Sequence, residues 1–355
     1  SYPFCGQKCT FYNFASGVFP PAFVQRYLAA LRAEVQSFPW PWRPETLYLG
    51  GGSPGLLDPD SLEALLDCVP GRPWAEATIE APPGHITAGR AERWAAGGLN
   101  RVSLGVQSFV AAELARTGRR HTAETVASEV AILRRAGLGN FNIDLIAGLP
   151  GQTPDSWRES LEWVVRLEAP HVSVYMLEID QDSRLGREIL AGGRRYGAED
   201  VPSPEATVEL YEAAVDYLAG IGVERYEISN FARPGFQSRH NLKYWRLEPY
   251  AGFGADAHSF DGATRSRNAE SPLEYVSRYE EGRPAAVASA PANLAEEKFF
   301  VGMRLIEGVP LTQREWARLK GRIRRLAEAG LVEAGGGQLR LTRRGVLLSN
   351  EVFQE

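Results

Sequence analysis

Between residues 20 and 225 the chain repeats one unit: a helical stretch with apolar residues at three- and four-residue spacing, then a short β-branched or apolar run. The runs fall at 46–49, 77–81, 101–106, 142–146, 171–177 and 226–229, and the helical stretches at 21–37, 59–68, 87–97, 123–137, 154–168 and 204–221. Asp58, Thr87, Thr122 and Thr153 stand where an N-cap belongs, and Gly97 and Gly137 where a helix stops. Such alternation predicts a parallel sheet with helices packed outside it, as an open sheet or as a barrel. In both, ligands gather at the C-terminal ends of the strands. Those ends carry Gly50-Gly51-Gly52-Ser53-Pro54, Glu80-Ala81-Pro82-Pro83-Gly84, Gln107-Ser108, Asp144 followed by Gly148-Leu149-Pro150-Gly151, and Glu178. A ligand site is expected there.

The rest of the chain is organised differently. Residues 228–291 lose the rhythm and are rich in Gly, Asn, Arg and aromatics; from 292 the pattern turns helical and ends in a hairpin signal around Gly335-Gly336-Gly337. The expected organisation is therefore an α/β barrel-like unit over 1–227, a connector over 228–291, and a winged-helix-like module over 292–355. A cysteine motif begins at the fifth residue, with no initiator Met and no room for a strand before it. The expectation is that the first strand is missing and that the true N-terminus lies outside this sequence.

Composition removes several classes. Apolar residues make up 44% and charged residues 23%, values of a folded globular chain. A net charge of −5 supplies no global field toward nucleic acid. No apolar run approaches the ~20 residues that cross a bilayer, and, with no basic stretch followed by an apolar one, export is not expected. Three cysteines are too few for a disulfide scaffold, so a reducing, cytoplasmic setting is expected.

Cys5-Gly6-Gln7-Lys8-Cys9 places two thiols four residues apart. Thiolates grouped on one short loop suit an iron–sulfur cluster; a structural zinc site would need four ligands, and two unpaired thiols are the third alternative. Cys68 falls late in an apolar helix, where a small core residue is expected. His240, in His240-Asn241-Leu242-Lys243-Tyr244-Trp245, is either an axial ligand for heme iron beside flat aromatic surface or a hydrogen-bonded structural residue. Gly252-x-Gly254-x-x-Ala257 imitates a dinucleotide fingerprint without a preceding strand, and no Gly-Lys-Ser/Thr makes residues 50–52 a P-loop. Residues 311–345 carry nine basic side chains against Glu315, Glu328 and Glu333. They suit a solvated basic face, anionic lipid, heme propionates or, on a winged helix, phosphates.

Pro3-Phe4-Cys5-x-x-x-Cys9-x-Phe11, the Gly50–Pro54 run, Glu80-Ala81, Ser103-Leu104-Gly105-Val106-Gln107-Ser108-Phe109 and Asn142-Ile143-Asp144-Leu145-Ile146 occur in one order. Gly148-Leu149-Pro150-Gly151-Gln152-Thr153, Tyr226-Glu227-Ile228-Ser229-Asn230-Phe231-Ala232, the His240 motif, Gly254-Ala255-x-Ala257-His258-Ser259 and Leu347-Leu348-Ser349-Asn350-Glu351-Val352-Phe353 follow. In these motifs, across nearly its whole length, the chain resembles the radical S-adenosylmethionine proteins related to oxygen-independent coproporphyrinogen oxidase, and among them the heme-chaperone, HemW-type branch. The resemblance implies a radical S-adenosylmethionine partial (β/α) barrel followed by a C-terminal module. It implies a 4Fe–4S cluster on Cys5 and Cys9, and S-adenosylmethionine bound near Phe11, Gly51, Gly52, Ser53, Glu80, Gln107, Arg119 and Asp144. It also implies heme at His240, and transfer of that heme to an acceptor protein, membrane-associated acceptors included.

The sequence departs from the family at three places. Tyr12 stands where the family has its third cluster cysteine, Pro82 where it usually has Asn, and a family tyrosine upstream of the cysteine loop has no counterpart. A phenol with a pKa near 10 must lose its proton before it binds iron, so the cluster is expected to be absent or labile. The alternative within the resemblance is radical decarboxylation of coproporphyrinogen III. Phe14, where those enzymes add a further cysteine, Tyr12 and the His240 motif argue against it.

Overall fold

The computed structural model describes residues 1–6, 10–11 and 16–355. Cys9, Tyr12 and Phe14 lie outside the described residues.

Five strands run parallel in chain order: β1 (Thr46–Leu49), β2 (Glu76–Ala81), β3 (Arg101–Gln107), β4 (Phe141–Ala147) and β5 (His171–Met176). Helices α1 (Pro21–Ser37), α2 (Pro59–Leu66), α3 (Ala88–Ala96), α4 (Ala111–Arg116), α5 (Ala123–Arg135), α6 (Pro154–Arg166), α7 (Arg184–Leu190) and α8 (Pro204–Gly220) alternate with them. The expected caps form: Asp58, Thr87, Thr122 and Thr153 each accept a backbone N–H in the first turn of α2, α3, α5 and α6. Gly97 caps α3, and Gly137 takes the left-handed conformation just after α5. Residues 2–4 extend the sheet edge: Tyr2 pairs in parallel with Gly51, and Phe4 with Gly17.

The expected strand at 226–229 is corrected by the structure. That segment is a turn between two short antiparallel strands, β6 (Glu224–Arg225) and β7 (Asn230–Ala232), and β7 pairs antiparallel with β5. The physical reason is local: Glu227 Oε1 accepts hydrogen bonds from Ser229 N and Asn230 Nδ2, and Ile228 N turns outward to Arg304 O. The backbone and side-chain groups of the segment are committed to the turn. The sheet is thus parallel for five strands and closes on an antiparallel pair.

Beyond it come α9 (Arg239–Trp245), a three-stranded antiparallel sheet of β8 (His258–Phe260), β9 (Thr264–Asn268) and β10 (Ala286–Pro291), and α10 (Pro272–Glu280). Then α11 (Leu294–Gly302), β11 (Val309–Pro310), α12 (Gln313–Glu328), β12 (Val332–Gly335) and β13 (Gln338–Leu341) give the helix–strand–helix–hairpin order of a winged helix. Gly336 and Gly337, both at positive φ, make the two-residue turn between β12 and β13. On one side α11 is tied to β9 by the Arg265–Glu297 ion pair, and on the other to α12 by Lys298 on both Glu315 oxygens. Of the nine basic residues at 311–345, Arg325, Arg340 and Arg343 are paired, with Glu355, with Glu333, and with Glu212 and Asp216.

Candidate functional site

Parallel strands covered on both faces usually read as continuous apolar runs. Here they alternate. Ala77, Ile79 and Ala81, Val102, Leu104 and Val106, and Phe141, Ile143 and Leu145 point to the helices and are fully or nearly fully buried. The other face carries Thr46 and Tyr48; Glu76, Thr78 and Glu80; Arg101, Ser103, Gly105 and Gln107; Asn142 and Asp144; His171, Ser173 and Tyr175. The five strands therefore enclose a polar interior.

At the C-terminal ends of the strands, Glu80 accepts hydrogen bonds from Tyr48 Oη (2.8 Å) and Gly51 N (3.1 Å). Burial, together with the nearby Asp144, pushes its carboxyl up to about 7 against the hydrogen bonds from Tyr48 and Gly51. Asp144 is itself raised by burial, against hydrogen bonds from Asn142 Nδ2 (2.7 Å) and the Ser103 hydroxyl (3.4 Å) and against the field of buried Arg101. Gly51 has φ +118°, and a Cβ on Gly52 would lie 2.6 Å from Phe4 O and 2.9 Å from Cys5 Sγ. Both glycines are therefore required for the backbone to approach the cysteine loop. Ser53 N donates to Phe4 O (2.9 Å). Gln107 adopts φ +74°, unusual for a side chain with a Cβ, and its buried Oε1 has no partner. The Gln107 amide and the Arg119 guanidinium both lie over Gly105, and Arg119 Nη1 donates to Gly105 O (2.5 Å).

Cys5, Gly51, Gly52, Ser53, Glu80 and Asp144 thus come together at one mouth, and Gln107 and Arg119 both lie over Gly105 of β3. Phe11 packs on Ile146, the β4 residue two beyond Asp144. Its ring is wholly buried, with Leu149 and Leu185 also in the cluster. Cys68 is half-buried on the helix side of the sheet and donates to Ala64 O. Among the described residues no group of three His, Cys, Asp or Glu side chains is arranged to hold a metal ion.

His240 lies at the opposite end of the interior, where the strands begin. Its Nδ1 is 2.8 Å from Thr46 Oγ1, its Nε2 is 2.8 Å from Tyr244 Oη, and its ring stacks on Tyr48. Burial, with Lys243 and Arg101 nearby, lowers its pKa to about 4, so the ring is neutral. Glu76 holds the start of α9 from below, accepting from Ser238 Oγ, Arg239 N and His240 N. Beside it, His171 bridges Asn142 Oδ1 and Tyr226 Oη. Tyr244 also lines a cleft of about 480 Å³ on the far side of α9, between the connector and α11.

Glu76, Arg101, Asn142, His171 and Ser173 were not expected from the sequence. The signal that marks them is the period-2 recurrence of polar residues inside strands otherwise read only as apolar.

The comparisons agree with this arrangement. Residues 1–164 match the model of the Radical SAM superfamily, and residues 290–348 that of the HemN C-terminal domain. Heme chaperone HemW of Bacillus subtilis is 33% identical over 99% of this chain and 96% of its own length. Heme chaperone HemW of Lactococcus lactis is also 33% identical, over 99% of this chain and 95% of its own length. Among solved structures, coproporphyrinogen III oxidase (HemN) from Escherichia coli superposes with a TM-score of 0.84 at 23% identity, over 99% of this chain and 87% of that one.

Proposed function

The chain belongs to the HemW family of heme chaperones, and on that premise we propose that it binds heme in the region of α9 and hands it to an acceptor protein, with S-adenosylmethionine held at the barrel mouth. The observation that carries this reading is the full-length similarity to heme chaperones, together with a barrel whose two ends are built for different tasks. The likeness to HemN, at 23% identity, concerns the fold alone. Three cysteines in the chain suit a reducing compartment such as the cytoplasm.

The mouth fits S-adenosylmethionine. Gln107 Oε1 lacks a partner, Glu80 and Asp144 offer carboxylates to an ammonium or to ribose hydroxyls, and the glycines expose backbone to a ligand. S-Adenosylmethionine on a reduced cluster supplies a 5′-deoxyadenosyl radical in proteins of this superfamily. Cys5 and Cys9 are the thiolates available to a cluster, and Cys5 stands against Gly52. With Tyr12 in the third position the loop holds that cluster weakly or not at all. Iron and sulfide analysis after anaerobic reconstitution tests this: Tyr12→Cys should approach four of each per chain, and an equal content in the unsubstituted chain would overturn it.

His240 has both ring nitrogens engaged, so it fixes α9 to β1 and positions Tyr244 and Trp245. Ligation of iron by its Nε2 would require Tyr244 Oη to leave. Heme titration of the purified chain, followed at the Soret band, tests the function. Saturation near one heme per chain is expected; absence of saturable binding would sink the chaperone reading.

A further inference from the structure

Resting on that reading, we propose that the heme lodges in the cleft between the connector and α11, with the imidazole of His258 as iron ligand.

Three of the five imidazoles are committed within the protein: His121 to Val106 O, His171 to Asn142 and Tyr226, and His240 to Thr46 and Tyr244. The rings of His85 and His258 make no hydrogen bond to the described residues, and His258 lines the cleft beside α9. A ring nitrogen free of hydrogen bonds within the protein is what a heme iron requires of its ligand.

The backbone beneath that ring is rigid. His258 opens β8 and pairs with Arg267 of β9. Gly252 packs so tightly against it that a Cβ there would meet His258 O, and Ser259 Oγ bonds both Gly252 N and Gly252 O. The side chain is free while its Cα is fixed, an arrangement that favours ligation over rearrangement.

The cleft suits a flat, largely apolar molecule with carboxylates at its rim. Its volume, about 480 Å³, lies in the usual range for bound cofactors and ligands, roughly 300–1,000 Å³. Tyr244, Trp245, Tyr250 and Phe300 line it. The Tyr244 and Tyr250 rings meet edge to face at 4.6 Å. Trp245 keeps its indole N–H without an acceptor. Arg265 gives Nε and Nη2 to Glu297 and Nη1 to Tyr250 Oη. Of its five N–H donors, two remain for a propionate.

The test is heme titration of the full chain beside His258→Ala and His240→Ala, recording affinity and visible bands. In His258→Ala the Soret and visible bands should leave those of imidazole ligation and affinity should fall about tenfold or more; free imidazole should restore the bands. His240→Ala should keep the bands of the unsubstituted chain. If the unsubstituted chain binds heme and His258→Ala matches it in bands and affinity, this assignment fails while the chaperone reading stands. If the unsubstituted chain binds no heme, the chaperone reading itself fails.

Discussion

Glu76 and Glu80 leave the same face of β2, four residues and about 13 Å apart, yet they do opposite things. Glu76 accepts three hydrogen bonds from the first residues of α9 and its cap. Glu80 has one phenol and one backbone N–H and is driven up to about 7. Around Glu76, His240 and His171 use both ring nitrogens. Around Glu80, Gln107 is strained and unpartnered. The floor of the barrel is finished by the protein, whereas the mouth is left for a ligand to finish. Buried polar groups are costly unless paired, so the pattern of satisfaction separates structural polarity from functional polarity.

The largest effect should come from breaking the floor. Glu76→Ala leaves two backbone N–H groups and the buried Ser238 without their acceptor, and should cost about 3 kcal/mol or more in urea unfolding. An unchanged midpoint would end the distinction drawn here.

Next is His240→Ala, which removes two hydrogen bonds and should cost about 1–3 kcal/mol. Because the folded ring has its pKa lowered to about 4, the unfolded chain binds the proton first. Stability from this group is complete above pH 6.5 and is lost as pH falls toward 4. The variant should lack that component of the pH profile.

Glu80→Gln should have the smallest effect on stability, within about 1 kcal/mol. The sign is reversed: the folded carboxyl, at about 7, keeps its proton longer than the unfolded one at 4.5. Its contribution is complete below 4.5 and disappears as pH rises through 7. S-Adenosylmethionine affinity, measured calorimetrically, should rise from about pH 6 to about pH 8 as Glu80 ionises, and Glu80→Gln should flatten that rise.

Much of this was legible in the chain. The five parallel strands and the four caps follow from apolar periodicity and from Ser, Thr or Asp at helix starts, and the wing from its glycines. The turn at 226–229 escaped because Tyr226-Glu227-Ile228-Ser229 alternates like a strand, while its hydrogen bonds run through the Glu227 side chain. Helix α9 escaped because seven residues are too few to show a helical period. At the site, the glycines, Glu80 and Asp144 follow from their place at strand ends. That Phe11 packs on Ile146, Leu149 and Leu185, and that His240 is committed while His258 is free, depends on contacts distant in sequence.

Helix α11 is a wall shared by two compartments. Neighbouring residues grip in opposite directions, Glu297 toward β9 and Lys298 toward α12. The outer grip is the firmer: both Glu315 oxygens take part, and that carboxyl is held down at about 2 by Lys298 and the Thr312 cap. A carboxylate that takes the two remaining Arg265 N–H donors leaves both grips in place. Whatever enters the cleft therefore meets a wall held from both sides, and more firmly from the outer one.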